Sequence, residues 1–444
     1  MNKSKIRTFL AGLTLAGSSV FAQAYQISPT PNFGEINVAT TGAQNNIDFT
    51  NMYAIIFSDV GTLSNYSTLA NYASIQGYDI GTINNYGAIN NYGGLHEIFA
   101  LNNYGILRNY DSMYTVNNFL THSSLTNFGD LDNYGSLHFG HNDINNNGMM
   151  SNYGTIVNEG GGTFSTSATH TFNNIGTFRS DGGILNSGIL NNSGALFNNQ
   201  ILDNSGDLTN SGALITYHGN LNNSGMLSNN GIWTSYASDT INNTGTFINN
   251  GSLQDYPNFF SYGSSTYTQS AGHTINNGSL SLGSIQINGG SVSGTGSFTG
   301  DVTIGSDASV NPGNSPGTLT FNDAFHSSGD FVFEIAGTAA GQYDVLAING
   351  AANFTGGNVE FDFIDGFHAS VGDHWDFLLA NNVTGWDSLS FSSNVSGLGT
   401  SITQDSLGAH LSITSVPEPE TYAMFMAGLG VMGFIARRRK NGQS

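Results

Sequence analysis

The chain has 444 residues, with 9 Lys or Arg against 30 Asp or Glu and a formal charge of −21; so few basic side chains argue against nucleic-acid or phosphate recognition. Charged residues reach only 9 % while Gly occupies 59 positions, a balance typical of β-rich or repetitive chains, and 11 % aromatic content excludes a disordered acidic tail. Without Cys there is no disulfide, thiolate metal site or Cys nucleophile.

At the N-terminus Lys3, Lys5 and Arg7 precede an apolar stretch from Phe9 to Phe21, followed by Ala22-Gln23-Ala24. Charge, apolar length and the small-x-small pattern at Ala22 and Ala24 predict a signal peptide over 1–24, cut by signal peptidase, and a mature chain that begins at Tyr25 outside the cytoplasm. Residues 25–60 are expected to form an N-terminal cap.

From residue 61 to 253 large apolar residues recur every six positions. One array runs Ile83, Ile89, Leu95, Leu101, Leu107, Met113, Phe119, Leu125, Leu131 and Leu137; another runs from Phe172 through Phe178 and Ile184 to Leu214. Asn often follows two residues after the apolar one and Gly four after, as in Asn186-Ser187-Gly188. A period of six carries a helical side chain off its face, but six is even, so on strands each apolar residue returns to the same face. Asn-x-Gly marks the bend, since both residues accept positive φ. The predicted fold is all-β: a β-solenoid (parallel β-helix) of hexad repeats, favoured over a meander of tiny strands because stacked coils enclose the Leu and Ile positions in a continuous core. The spacing leaves handedness and the number of sides open. With three hexads per coil, Asn85, Asn103 and Thr121 superpose, as do Asn186, Asn204 and Asn222, and stacked amides form ladders. The register slips at 76–82, 138–143, 157–171, 215–220 and 234–240 and stops at 254–273, where extruded loops are candidate binding places.

In the first array the residue between Asn and Gly is often aromatic. Three-hexad coils put Tyr92, Tyr110 and Phe128 in one outward column and Tyr86 with Tyr104 in another. Tyr86, Tyr92, Tyr104 and Tyr110 are therefore possible glycan contacts, though mutual stacking that stiffens a corner serves the same residues.

A Tyr/Ser-rich break is expected over 254–284, and a β-rich segment and cap over 285–415. Gly294-Thr295-Gly296-Ser297-Phe298, Asn311-Pro312-Gly313 and Tyr343-Asp344-Val345-Leu346 alternate strand and turn signals. Over roughly 285 to 365 this resembles the closing part of autotransporter passenger domains, which implies that it continues or caps the solenoid.

The acidic pairs Asp130 with Asp132 and Asp203 with Asp207, and the cluster Asp373-His374-Trp375-Asp376, are the candidates for carboxylate catalysis. Isolated acids on a repeat surface are ordinarily solvated, and the body between the terminal segments holds only Arg108 and Arg179 as cations. The reading is therefore no enzyme, no catalytic residue, no metal site and no cofactor. Ca²⁺ on oxygen ligands stays open, without an EF-hand loop to support it. So acidic a body repels acidic polymers unless divalent cations bridge them.

The C-terminus carries Val416-Pro417-Glu418-Pro419, an apolar run over 421–436, and the basic stop cluster Arg437, Arg438, Arg439 and Lys440. As a helix the run reaches about 24 Å, a short transmembrane helix with cations behind it to stay on the cytoplasmic side. Motif, apolar run and Arg cluster over 416–444 resemble the PEP-CTERM sorting signal of Gram-negative bacteria. The resemblance implies processing by a membrane-embedded exosortase, a transient membrane anchor through 421–436, and delivery to the envelope, outer surface or extracellular matrix, commonly alongside exopolysaccharide. The expected role is a structural or adhesive component of the surface or a biofilm. A polysaccharide-degrading β-helix enzyme, hydrolase or lyase, and a glycan-binding module using the tyrosine columns are the alternatives.

Overall fold

Ser74–Asn85 and Gly94–Asn103 each run through two hexads as one strand, but most hexads become a strand of three to five residues and a two-residue bend, as at Thr68–Asn71, Ala88–Asn91 and Ile106–Asn109. These three strands are not neighbours in sequence. Each pairs in parallel with the strand one coil further along: Leu69 lies beside Ile89, Ile89 beside Leu107, and Leu107 beside Leu131. Three strand segments thus complete one coil and the body has three faces. This computed structural model describes residues 25–26, 36–38, 43–46, 48–52, 55–57, 61–115, 124–236, 238–256, 263–416 and 419–440. The predicted signal peptide with Ala22 and Ala24, much of the predicted N-terminal cap, Phe119, Thr121, Pro417 and Glu418 lie outside those residues.

The period-six side chains turn inward and form the core. Leu63, Ile83, Leu101, Leu125 and Ile144 stack along the first face, Leu69 to Met150 along the second, and Ile75 to Ile156 along the third, all essentially inaccessible to solvent. Burying each Leu or Ile contributes about 1.5–3 kcal/mol, and stacking lets every coil share that gain with two neighbours.

Two positions after each core residue the chain buries an amide. Along the second face Asn51, Asn71, Asn91, Asn109, Asn133, Asn152, Asn174, Asn192, Asn210, Asn229, Asn249 and Asn276 form an unbroken ladder, each Nδ2 donating to the next Oδ1 at 2.6–2.8 Å. Along the first face the ladder from Asn45 to Asn146 ends because Thr166 stands above Asn146, and it restarts at Asn186. A buried amide is costly unless hydrogen-bonded, and here the coil above supplies the partner.

Two details of the expected stacking change. Asn103 pairs with Asn127, 24 residues on, because the intervening coil carries six extra residues. Asn204 pairs with Asn223 and not Asn222, since one extra residue enters at 215–220; Asn222 instead donates to Asp203 at 2.7 Å. The bends also owe their glycines to a different cause. Gly87, Gly105 and Gly212 are absent from the positive-φ residues. A Cβ on Gly105 would sit 2.0 Å from the Gly87 carbonyl oxygen of the coil below, so glycine is required by close approach.

Within the segment expected to be a break, residues 257–262 lie outside the described ones and parallel stacking is present from Thr266 on. Thr266–Gln269 pairs with residues 240–243, and the long strands Ser279–Gly294 and Ser297–Pro312 pair over most of their length. The parallel arrangement reaches Ser390–Ser393, after which the hairpin Gly399–Asp405 and Gly408–Thr414 returns antiparallel onto His374–Thr384. That hairpin covers strand edges that a bare final coil would offer for pairing. The terminal helix runs Pro419–Lys440. Among the described residues no helix is long and apolar enough to cross a membrane; within the span expected over 421–436, the side chains of 421–423 and 436 lie outside the described ones.

Candidate functional site

The three edges of the solenoid are not equivalent. Between Leu63 and Leu253, core residues from the second face to the third are always six apart: Ile89 to Leu95, Leu107 to Met113, Leu131 to Leu137, Leu227 to Trp233. Over the same stretch the edge between first and second faces keeps that spacing except at Phe164 to Phe172. Length varies at the edge between third and first faces: six residues from Leu95 to Leu101, eight from Trp233 to Ile241, fourteen from Leu253 to Tyr267. The register slips read in the sequence thus fall almost wholly on one edge of the body, where extra residues leave the stacking undisturbed. An open depression of about 570 Å³ lies on that side, lined by Val157, Arg179, Phe197, Asn199, Tyr217 and His218. Arg179 forks onto Asp181 through Nε at 2.8 Å and Nη2 at 3.1 Å.

The two constant edges carry the aromatics. Tyr66, Tyr86, Tyr104 and Phe128 stack on one, with centroids 4.9, 4.9 and 5.0 Å apart. Tyr72, Tyr92, Tyr110, Tyr134 and Tyr153 stack on the other at 4.7–5.0 Å, with planes within 12° of parallel. Phe128 therefore belongs above Tyr104, not above Tyr110, because of the 24-residue coil that moved Asn127. Tyr86, Tyr92, Tyr104 and Tyr110 are interior rings, covered on both faces by neighbours. Contact with a sugar at these four is limited to ring edges and hydroxyls, as there is no free face for a pyranose to lie on. A third column, Tyr217, Tyr236 and Tyr256, stacks at 4.4 and 4.5 Å on the variable edge; the recurrence of Tyr at intervals close to one coil was the sequence signal for it.

The acidic candidates are dispersed. Asp130 and Asp132 flank buried Leu131 on the second face, and Asp132 lies 3.6 Å from Arg108 Nε. Asp203 accepts from Asn222, whereas Asp207 lies exposed on a different strand. In the 373–376 cluster Trp375 is buried with its indole N–H donated to the Gly337 carbonyl at 2.8 Å, and Asp373 accepts the Ser370 N–H at 2.7 Å. Asp376 Oδ1 is 2.7 Å from His410 Nδ1, and Asp405 Oδ2 is 3.2 Å from Nε2. These carboxylates brace the end cap. Among the described residues no group of three or more His, Asp or Glu is arranged to hold a metal ion.

Two titratable environments were invisible in the sequence. Asp344 is buried and accepts the backbone N–H groups of Gly317 at 2.7 Å and Glu334 at 2.8 Å. Burial outweighs both donors and pushes its carboxyl up to about 7. His410 is raised from its ordinary value first by its hydrogen bond with Asp376, against the opposing effect of burial.

The C-terminal element is of another character. Val416 is exposed, and the helix beyond it shows its apolar side chains to solvent: Met424 is 74 % exposed, Phe434 68 %, and Phe425, Val431 and Ile435 are open as well. Over 424–435 it is apolar on all sides, and such a surface marks a membrane or partner contact. Arg437 follows, also exposed. Residues 415–440 match the family described as the PEP-CTERM protein-sorting motif. No curated protein matches the chain. The motif implies exosortase-dependent sorting of an exported, envelope-associated protein.

Proposed function

We propose that this chain is an exported structural or adhesive component of the cell surface or extracellular matrix, whose solenoid body acts by shape and surface and not by catalysis. The observation that carries the reading is the pairing of a long rigid solenoid with a terminal sorting motif whose exposed apolar helix has no place in the body's core. In this account residues 421–436 hold the chain in the membrane until exosortase acts at the segment around Pro417-Glu418-Pro419, and Arg437, Arg438, Arg439 and Lys440 keep the end cytoplasmic. The free body then joins the surface or matrix, with exopolysaccharide as the associated polymer. The dispersed acids support a non-catalytic role, because Asp132 and Asp203 already have partners and neither pair shares a cleft.

Removal of residues 417–444 tests the sorting step. Fractionation should show the truncated body lost from the surface; unchanged display overturns the reading. Incubation of the body with neutral and acidic polysaccharides tests the non-catalytic half, since release of oligosaccharides would make it a degrading enzyme.

A further inference from the structure

The aromatic columns hold phenols in an arrangement suited to oxidative coupling. Tyr72, Tyr92, Tyr110, Tyr134 and Tyr153 hang from equivalent backbone positions one coil apart, so their ortho carbons lie in register along the edge. Neighbouring planes differ by 5° to 12° and centroids by 4.7–5.0 Å. These residues are between 41 and 53 % exposed, so a diffusing oxidant can reach them. Tyr66, Tyr86 and Tyr104 repeat the arrangement on the other constant edge. The chain has no Cys, so no thiol competes as an electron donor.

We propose that these two columns are a modification site, at which vertically adjacent tyrosines couple to dityrosine and staple successive coils. The oxidant is a one-electron acceptor of the peroxidase and hydrogen peroxide class. Each phenol gives up one electron and its hydroxyl proton; the two ring radicals join through their ortho carbons, and the hydrogens on those carbons shift to the oxygens to restore both hydroxyls. One hydrogen peroxide takes the two electrons and two protons and leaves as two waters. The product is two hydrogens lighter than the parent pair.

Phe128 provides a built-in control. It stacks on Tyr104 at 5.0 Å and 3°, matching Tyr110 on Tyr134 at 5.0 Å and 5°, yet it has no phenol to oxidise. Coupling must therefore stop at Tyr104 in one column and continue past Tyr110 in the other.

The full chain, folded and dilute, is exposed to a photoactivated ruthenium(II) tris-bipyridyl and persulfate oxidant, and dityrosine is followed by fluorescence and by mass-spectrometric mapping of crosslinked peptides. Links are expected at 66–86, 86–104, 72–92, 92–110, 110–134 and 134–153, with none at 104–128. Phe128→Tyr, at a rim position where the added hydroxyl reaches water, should gain the 104–128 link with unchanged β-structure by circular dichroism. The chain unfolded in urea should lose this pattern. A folded wild-type chain without these links, the same pattern from the unfolded chain, or links formed only between separate chains overturns the proposal.

Discussion

Asn192 donates from Nδ2 to Oδ1 of Asn210 at 2.7 Å, and both side chains are buried between coils. Asn192 also accepts from Asn174 at 2.7 Å and donates to the Ala213 carbonyl at 2.8 Å, so a single side chain ties together three successive coils. Adjacent bonds of one direction polarise one another, which makes the column a cooperative unit.

Asn192→Ala should therefore destabilise the body by about 3 kcal/mol or more, because buried partners are left unpaired above and below at about 1–3 kcal/mol each. Asn191→Ala removes only an exposed bond to Asn173 at 2.9 Å and should cost less than about 0.5 kcal/mol. Urea unfolding of the two variants decides the matter; equal costs would show that the ladder contributes nothing special.

The close approach at the bends makes a second contrast. A Cβ on Gly212 would lie 2.1 Å from the Gly194 carbonyl oxygen, which is backbone and has nowhere to go. Gly183 has no atom nearer than the Ile201 oxygen at 3.7 Å. Gly212→Ala should cost about 3 kcal/mol by forcing two coils apart, whereas Gly183→Ala should change stability by less than about 0.5 kcal/mol. If positive φ were the reason for glycine at the bend, Gly212→Asn would be tolerated; a loss as large as that of the alanine variant separates the two causes.

How far the sequence carries depends on how local each feature is. The core from Leu63 to Leu253 is legible because side-chain alternation and the six-residue period act within one strand, and every described member is buried. Vertical neighbours require the coil length as well, and one extra residue before Asn222 or six before Asn127 moves a column without altering the hexad. The misplacement of Phe128 has that origin. That nearly all such insertions between Leu63 and Leu253 gather on one edge becomes visible only in the three-sided coil, whose number of faces the period alone leaves free. Asp344 and His410 were illegible for a stronger reason: Gly317, Glu334, Asp376 and Asp405 make their environments, and the Asp376–His410 contact spans 34 residues.

The raised carboxyl of Asp344 gives the body a pH dependence of definite sign. Its folded value of about 7 lies above the unfolded one, so between about 4 and 7 the folded state binds more protons and stability falls as pH rises. Asp344→Asn removes the titration, at the loss of one acceptor for the Gly317 or Glu334 N–H. Unfolding measured at several pH values should show the wild type losing stability relative to the variant across that window. Parallel curves would mean that Asp344 does not titrate there.

His410 works with the opposite partner type, and its effect is placed where the body ends. Its folded pKa lies above the ordinary 6.5, so the stabilisation from Asp376 and Asp405 is complete below 6.5 and is lost as pH rises through the folded value. The hairpin it braces ends at Thr414, two residues before Val416, so loosening the cap loosens the segment that leads into the sorting motif. Imidazole titration followed by NMR should show a midpoint above 6.5 that falls in Asp376→Asn, and amide protection factors in Gly408–Thr414, corrected for the intrinsic rise of exchange with pH, should fall above that midpoint in the wild type but hold constant in His410→Gln. A wild-type midpoint at or below 6.5 would remove the cap from the pH-sensitive parts of the molecule.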